Sequence, residues 1–223
     1  MLGNYHSFFH LLFVGIIALF PVVNPIGSAL MVNRYFANLT KAEKRNAVTR
    51  VVIYAFSLCV TTLFIGHWIL ELFGITIPVI QVAGGIMICK TGWEFLSDNK
   101  PVENKPINGT GKMMTQTELQ NQLFFPITFP ITTGAGTMAV LFTLGAHSTN
   151  EKLATYLFNT SALIVSIIII CALLYFLYMK TETLLNYAGS TGEKIINRIV
   201  AFLTFCVGLQ IMVTGIKTLA TMQ

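Results

Sequence analysis

The chain has 223 residues, of which 54% are hydrophobic and 10% are charged. With a mean hydropathy of +0.71, this composition excludes an ordinary soluble domain, in which about a quarter of the residues are charged. The net charge of +5 is common in nucleic-acid-binding proteins, but here the basic residues lie between apolar stretches and form no tracts with aromatic residues. We therefore predict an integral membrane protein that binds no nucleic acid.

Six apolar stretches are long enough to cross a bilayer, which takes about 20 helical residues. Four windows contain no Asp, Glu, Lys or Arg, and they are residues 1–33, 51–70, 119–150 and 153–179. Two shorter windows are residues 72–89 and 199–216. Because unpaired backbone groups are costly in lipid, each window should be helical. The sequence therefore predicts an all-α membrane protein with six transmembrane helices.

The basic residues predict the orientation of these helices. If the N-terminus is external, most of the 14 basic residues fall in three internal connections, namely Arg34, Lys41, Lys44, Arg45, Arg50, Lys100, Lys105, Lys112, Lys180, Lys194 and Arg198. Cytoplasmic connections of membrane proteins carry such an excess of Lys and Arg. Both termini should therefore lie outside the cytoplasm.

Two stretches of the chain resemble each other in order. Phe20-Pro21-Val22-Val23-Asn24-Pro25-Ile26 matches Phe125-Pro126-Ile127-Thr128-Phe129-Pro130-Ile131, and Gly85, Ile88, Thr91 and Gly92 match Gly208, Ile211, Thr214 and Gly215. A repeat of three spans takes opposite orientations in its two copies, because an odd number of crossings ends on the other side of the membrane. We predict two inverted-topology three-helix repeats, residues 1–98 and 118–223, joined by a cytoplasmic linker, residues 99–117. Such repeats are typical of secondary transporters.

Prolines interrupt the first and fourth predicted spans at corresponding positions. Pro25 cannot donate a helical hydrogen bond and disfavours helical geometry at Asn24, and Pro126 and Pro130 act in the same way in the fourth span. A broken helix exposes amides at one end and carbonyls at the other, which can bind a carboxylate and a cation. A proline kink with hydroxyls that satisfy freed carbonyls is the simpler alternative for one break. Two matched breaks favour a binding site.

The side chains around the breaks are small and neutral, which favours a small polar ligand without net charge. The predicted substrate-binding residues are Asn24, Pro25, Gly27, Ser28, Thr128, Pro130, Thr132, Thr133, Gly134, Gly136, Thr137 and Gln210. For the Gln210 amide, a hydrogen bond to another group of the protein is an equal alternative to a hydrogen bond to the ligand.

A second group of residues lies in the third and sixth spans. Close helix packing and cavity lining are the two alternatives for Gly84, Gly85, Gly208, Thr91 and Thr214. Lys90 and Glu94 can pair at i,i+4, either as a structural pair or as part of a coupling route. The four cysteines, Cys59, Cys89, Cys171 and Cys206, all lie in apolar windows, so we expect neither a metal site nor a disulfide nor any other cofactor.

The sequence resembles the MarC family of bacterial membrane proteins, which includes transporters of neutral amino acids. The resemblance rests on Asn24 to Gly27, on Ile77-Pro78 with Val82 to Ile86, on the run from Pro126 to Gly134, and on Gly192-Glu193-Lys194 with Arg198-Ile199 and Gln210. It implies a six-helix fold, location in the bacterial inner membrane, and transport of small neutral amino acids such as glycine, alanine and serine.

The hypothesis from the sequence is therefore a secondary transporter that works by alternating access at a site near the bilayer midplane. An enzyme is disfavoured because no Asp or Glu lies at mid-membrane depth and no His lies near Ser28. The alternatives are an exporter of other small polar or drug-like molecules, a channel, and a membrane scaffold that transports nothing. Coupling to H⁺ or Na⁺ and assembly into a homo-oligomer are left open.

Overall fold

In the computed structural model of the chain, residues 2–36, 39–97, 120–148 and 153–221 are described. They form seven helical segments, which are α1 Leu2–Val23, α2 Pro25–Phe36, α3 Lys41–Leu72, α4 Ile77–Ser97, α5 Leu123–Thr132, α6 Ala135–Ser148 and α7 Leu153–Thr221. Every regular element in these ranges is a helix, which confirms the all-α prediction. The predicted linker, residues 99–117, lies outside the described residues.

Four helical stretches in the described ranges are long and apolar enough to cross a membrane: Phe8–Asn33 (parts of α1 and α2), Lys41–Gly66 (in α3), and Thr155–Thr183 and Arg198–Thr221 (both in α7). Gln120–Thr132 and Ala135–Gly145 are long and apolar enough only as a pair, which is bent by 64° at its break and makes a fifth candidate span if it crosses as one. The third predicted span corresponds to α4, which is not among these five. Its 21 residues include Gln81, Lys90 and Glu94, and these polar side chains lower its hydropathy.

The long helix α7 folds back on itself between the two spans that it contains. Ser166 Oγ donates to Leu12 O at 3.0 Å, and Thr204 Oγ1 donates to Pro21 O at 3.1 Å. Leu12 and Pro21 are about 14 Å apart along a helix, whereas Ser166 and Thr204 would be about 57 Å apart if α7 were straight. The part of α7 around Ser166 and the part around Thr204 must therefore both pack against α1, so α7 reverses direction between them.

The second half of α7 packs closely against α4. A Cβ atom on Gly85 would lie 2.7 Å from Gly208 O, and a Cβ atom on Gly208 would lie 2.9 Å from Gly85 O. The glycines therefore have a packing role, because any side chain would separate the two backbones. Farther along the same contact, a Cβ atom on Gly92 would lie 2.7 Å from Phe205 N, which extends the close approach.

The interior of the helix bundle is apolar, and apolar side chains also cover its outer surface. Val48, Ile127 and Leu163 are almost completely buried in one core, whereas Ile17, Trp68 and Phe202 are more than half exposed. A protein that faced water on all sides would expose few such side chains. This distribution is that of a helix bundle surrounded by lipid.

A polar contact anchors the beginning of α3. Thr40 and Glu43 form a capping box, in which each side chain accepts from the other residue's backbone amide. In the next residue, Lys44, the side chain is 7% exposed and its Nζ lies 2.8 Å from Glu182 Oε1 on α7. The start of α3 and the end of the first span of α7 therefore lie at the same end of the bundle.

Candidate functional site

The first break joins α1 to α2 through a single residue, Asn24. Its φ is 46°, a left-handed conformation that asparagine tolerates better than most residues. Its side-chain Oδ1 accepts from the backbone amide of Gly27 at 3.0 Å, so Asn24 also caps the N-terminus of α2. Pro25 occupies the first position of that helix, where its missing N–H is not needed. The predicted break is therefore present, and Asn24 forms it.

The carbonyl that Pro25 leaves without a helical donor finds one elsewhere in the chain. In an uninterrupted helix Pro21 O would accept from the amide of residue 25, and proline has none. Thr204 Oγ1 on α7 lies 3.1 Å from Pro21 O and 2.8 Å from its own helix carbonyl, Val200 O, and its single proton is shared between these two acceptors. The first break thus depends on a residue 183 positions away in the sequence.

The second break spans the whole of α5. Phe125 and Phe129, each of which precedes a proline, have extended backbone angles, as residues before proline prefer; both peptide bonds to the prolines are cis. The hydroxyls of Thr128, Thr132 and Thr133 donate to the carbonyls of residues five positions earlier, at 2.7, 2.7 and 3.0 Å. All three threonines are buried, and their hydroxyls satisfy the backbone of the break.

Unlike the backbone of the second break, the N-terminus of α6 has polar groups without hydrogen-bond partners among the described residues. Gly134 O accepts from Met138 N at 3.2 Å, so the amides of residues 135–137 belong to the first turn and have no carbonyl within α6 to bond. The Thr137 side chain is 1% exposed, and its hydroxyl has no hydrogen-bond partner among the described residues. A buried hydroxyl without a partner is costly. The hydroxyl is therefore available for a further hydrogen bond.

The two breaks meet at a cavity of about 120 Å³. The end of α1, the start of α2, the end of α5, the start of α6, and parts of α4 and α7 all border it. Its lining residues are all neutral: Val22, Val23, Asn24, Ser28, Met31, Met87, Ile88, Thr91, Pro130, Ile131, Gly134, Ala135, Gly136, Thr137 and Thr204. The negative end of the α1 dipole and the positive end of the α6 dipole both point toward it.

The structure brings part of the predicted site together at this cavity. Seven predicted residues line it, namely Asn24, Ser28, Pro130, Gly134, Gly136, Thr137 and Thr91. Pro25, Gly27, Thr128, Thr132 and Thr133 shape the breaks without being among the lining residues. Gln210 is exposed and also lies apart from the lining.

The remaining predicted residues lie away from the cavity. Gly84, Gly85 and Gly208 pack helices together, because a Cβ atom on any of them would overlap a neighbour. The Thr214 hydroxyl bonds the Gln210 carbonyl of its own helix, as Thr91 does with Met87 O. Neither hydroxyl bonds across the contact between α4 and α7.

Lys90 and Glu94 are paired on α4, with Nζ and Oε1 3.8 Å apart, and both side chains are mostly exposed. Neither is a lining residue of the cavity. Within the part of the chain that the structure describes, no three His, Cys, Asp or Glu side chains come together as a metal site would require.

Sequence reasoning missed the lining residue Thr204. A signal was present, because Thr204 lies four positions before Gly208 and therefore on the same helix face. It also missed Met31 and Met87, whose flexible side chains can adapt to a ligand. Apolar lining residues could not be distinguished in the sequence from residues that face lipid.

The chain is similar to known membrane proteins. The profile of the family described as "MarC family integral membrane protein" matches residues 9–220. The "UPF0056 inner membrane protein MarC" of Escherichia coli (strain K12) is 24% identical over 208 residues, which cover 91% of this chain and 92% of that protein. The protein of the same name from Shigella flexneri has the same identity and coverage.

No solved structure matches the chain. The family match covers almost all of the chain and both breaks, and it confirms the resemblance seen in the motifs. The chain belongs to the MarC family of integral membrane proteins.

Proposed function

We propose that this chain is a secondary transporter, and not an enzyme, that carries small neutral amino acids of the glycine, alanine or serine type across the bacterial inner membrane. The observation that carries the proposal is the buried, unpartnered Thr137 hydroxyl at the open N-terminus of α6, inside a neutral cavity between two broken helices. Alternating access would expose this cavity to each side in turn.

The ends of the helices match the two charges of an amino acid. Free amides at residues 135–137 and the α6 dipole would bind the carboxylate, with Thr137 as a further donor. The carbonyl end of α1 would bind the ammonium group. The Asn24 side-chain nitrogen, which bonds no described residue while its Oδ1 caps α2, can donate to the ligand. Because the ligand has no net charge, the lining needs no charged side chain.

The size of the cavity favours a small ligand. A water molecule needs about 10–15 Å³ of cavity volume. A cavity of about 120 Å³ therefore has room for a ligand of a few non-hydrogen atoms. Pockets for drug-sized molecules usually measure about 300–1,000 Å³. This difference favours a small amino acid over a drug-like substrate.

The six-span arrangement is part of the proposal, and the contact between Lys44 and Glu182 supports it. These side chains touch at 2.8 Å, so the start of α3 and the end of the first span of α7 lie on one side of the membrane. The number of crossings between them must be even. The chain between them contains α3, the bent pair α5 and α6, the first span of α7, and α4. If the bent pair crosses the membrane once, the number is even only if α4 also spans, and its 21 residues extend about 31 Å, which suffices.

The contacts between α4 and α7 support the inverted repeat. The sequence match pairs Gly92 with Gly215, and the same offset makes Phe205 the counterpart of Val82. A Cβ atom on Gly92 would lie 2.7 Å from Phe205 N, and a Cβ atom on Gly215 would lie 2.9 Å from Val82 Cγ2. The two contacts are reciprocal under this correspondence, as expected of two helices that are related by a two-fold axis. Gly85 and Gly208, which face each other, would lie on this axis.

With six spans and the basic connections inside, both termini face the periplasm. A reporter that is active only in the cytoplasm, fused after Gln223, should be inactive. Strong activity of this fusion would contradict the orientation.

The ligand is tested by the thermal stability of the purified protein. Glycine, alanine or serine should raise the melting temperature as their concentration rises. Thr137→Val should raise the half-saturating concentration about 2- to 12-fold, as expected for one lost neutral hydrogen bond. The same change should not lower the melting temperature without ligand, because the hydroxyl has no partner to lose.

Thr143→Val is the matched control on the same helix. The Thr143 hydroxyl donates to Ala139 O at 3.0 Å and is not part of the cavity, so ligand binding should be unchanged. If none of the three amino acids stabilises the protein while cationic drugs do, an exporter of drug-like molecules replaces the proposal.

Transport and its coupling are tested in proteoliposomes. Uptake of labelled glycine and alanine would be measured with an imposed H⁺ gradient, an imposed Na⁺ gradient, and no gradient. Accumulation with one gradient identifies the coupling ion, and equal rates in all three conditions indicate facilitated exchange. Currents far above the turnover of a carrier would indicate a channel instead.

A further inference from the structure

The second half of α7 carries an amide side chain that the proposed transport cycle does not use. Gln210 lies near the middle of the span Arg198–Thr221, about 16 to 18 Å along the helix from either end. Its side chain is exposed, and its amide group has no hydrogen-bond partner among the described residues. At this depth the surrounding lipid tails offer neither donor nor acceptor, and an unpaired amide is costly there.

Gln210 belongs to a seam of exposed side chains that runs along the helix. Members of the seam recur alternately three and four positions apart, at Ile199, Leu203, Cys206, Gln210, Val213, Lys217 and Ala220. This heptad spacing keeps them on one side of a helix and is the pattern by which two helices pack along their length. Gly208 and Gly215, which contact α4, lie on the opposite side. The seam is therefore open to a further helix.

A second copy of this chain fits the seam. Since all copies cross the membrane in the same orientation, a two-fold axis along the membrane normal sets two such helices parallel, with each residue opposite its own counterpart. Gln210 suits this arrangement because an amide both donates and accepts, so two of them can bond each other. One polar residue in a mainly apolar seam also fixes the register of parallel helices. Lys217 lies near the end of the span, where its ammonium group can reach water.

We propose that the chain forms a homodimer through this seam, with the two Gln210 side chains hydrogen-bonded to each other across the axis. Thr204, which borders the cavity, lies on a different side of the helix from the seam, so each copy keeps its own cavity. The inference goes beyond the proposed transport function and is independent of the substrate.

Cys206 provides the first test, because it is exposed and lies one turn before Gln210 in the seam. In the dimer the two Cys206 thiols face each other, and copper phenanthroline added to membranes should oxidise them to one intermolecular disulfide. A dimer band should appear on a non-reducing gel and be absent in Cys206→Ser. Cys59 and Cys171 are buried and should not contribute.

Ser161→Cys in the Cys206→Ser background is the control. Ser161 is also exposed, but it lies in the first half of α7, so this variant should remain monomeric on the gel. Equal crosslinking of this variant and of the wild-type protein would indicate random collisions in the membrane and would overturn the proposal. The absence of a crosslink through Cys206 would overturn it as well.

The second experiment measures the contribution of the amide. Association would be followed by energy transfer between labelled copies in lipid vesicles of decreasing protein-to-lipid ratio. Gln210→Leu should weaken association about 3- to 20-fold, and Gln210→Asn, which keeps an amide, should weaken it less. Because leucine suits a position that faces lipid, the melting temperature in detergent should not fall and serves as the check on folding. Unchanged association in Gln210→Leu would show that the Gln210 pair does not hold two copies together and that lipid covers the seam.

Discussion

The two breaks solve the same physical problem, unpaired backbone groups inside a membrane, with different residues. At the first break one residue, Asn24, ends α1 and caps α2, and the carbonyl of Pro21 depends on Thr204 of α7. At the second break, Thr128, Thr132 and Thr133 satisfy carbonyls of their own segment. The first break thus depends on tertiary contacts, whereas the second is largely self-contained.

This difference assigns different roles to the two breaks. The N-terminus of α2 is capped by Asn24 from within, while the N-terminus of α6 keeps its amides and the Thr137 hydroxyl available. We infer that the second break supplies the carboxylate site and that the first break is the hinge whose position follows α7. Substitutions at the two breaks should therefore affect different measurements.

The largest expected effect is the loss of transport in Gly136→Leu, at the open end of the second break. A Cβ atom on Gly136 would overlap Ile88 and lie 3.3 Å from Val22 Cγ1, so a leucine would fill the cavity. Uptake in proteoliposomes should fall to background, and glycine should no longer raise the melting temperature.

The control for this substitution is Gly74→Asn. Gly74 has a φ of 63° and nothing lies near its Cβ position, and asparagine tolerates that conformation. Transport should persist. Transport at the wild-type rate in Gly136→Leu would show that the cavity is not the path of the substrate.

A smaller effect is expected at the hinge, from Asn24→Ala. Alanine loses the cap on Gly27, which costs about 0.5–2 kcal/mol, and it adopts the left-handed conformation at a further cost of about 1–2 kcal/mol. Thermal unfolding should show a melting temperature lower by about 4–12 °C.

Asn24→Gly separates the two contributions. Glycine at a cap position costs only a few tenths of a kcal/mol and takes a positive φ without strain, so this variant should retain most of the stability. If alanine and glycine destabilise equally, the backbone conformation of Asn24 is not what the first break requires.

Thr204→Val tests the dependence of the first break on α7. The change removes the donor that Pro21 O shares with Val200 O, and one such hydrogen bond contributes about 0.5–1.5 kcal/mol. We expect a lower melting temperature and a reduced rate of glycine uptake. Thr214→Val is the control on the same half of α7, since the Thr214 hydroxyl is exposed and bonds only its own helix. Equal effects of the two changes would show that the first break does not depend on the hydrogen bond between Thr204 and Pro21.

The smallest effect is expected from Lys90→Met, which lies outside both breaks. Exposed i,i+4 ion pairs contribute about 0.3–0.5 kcal/mol, and the Lys90–Glu94 pair is mostly exposed. Transport and stability should be nearly unchanged. A selective loss of gradient-driven uptake, with exchange retained, would instead place the coupling ion on α4.

Much of the architecture could be predicted from the sequence because it follows from backbone chemistry. Windows without charge must be helical in lipid, and prolines at positions 25, 126 and 130 cannot donate helical hydrogen bonds. The all-α class, the two breaks and the family were therefore accessible without coordinates. The helix α4 was also predicted, although its polar residues make it less apolar than the other spans.

The tertiary structure alone decided which polar side chains remain available to a ligand. Thr128, Thr132, Thr133 and Thr137 are the same residue type within ten positions, and the sequence cannot distinguish them. The hydroxyls of the first three bond the carbonyl five residues earlier, whereas the Thr137 hydroxyl bonds no group of the described residues.

The sequence also could not identify the residues that are distant along the chain but form hydrogen bonds with the breaks. Thr204 bonds Pro21 across 183 positions, and Tyr178 bonds Thr132 across 46. By itself the sequence determined where the helices break, because the lack of a proline N–H is a local property. Which groups satisfy or leave open the resulting ends depends on distances between helices, and only the folded bundle sets those distances.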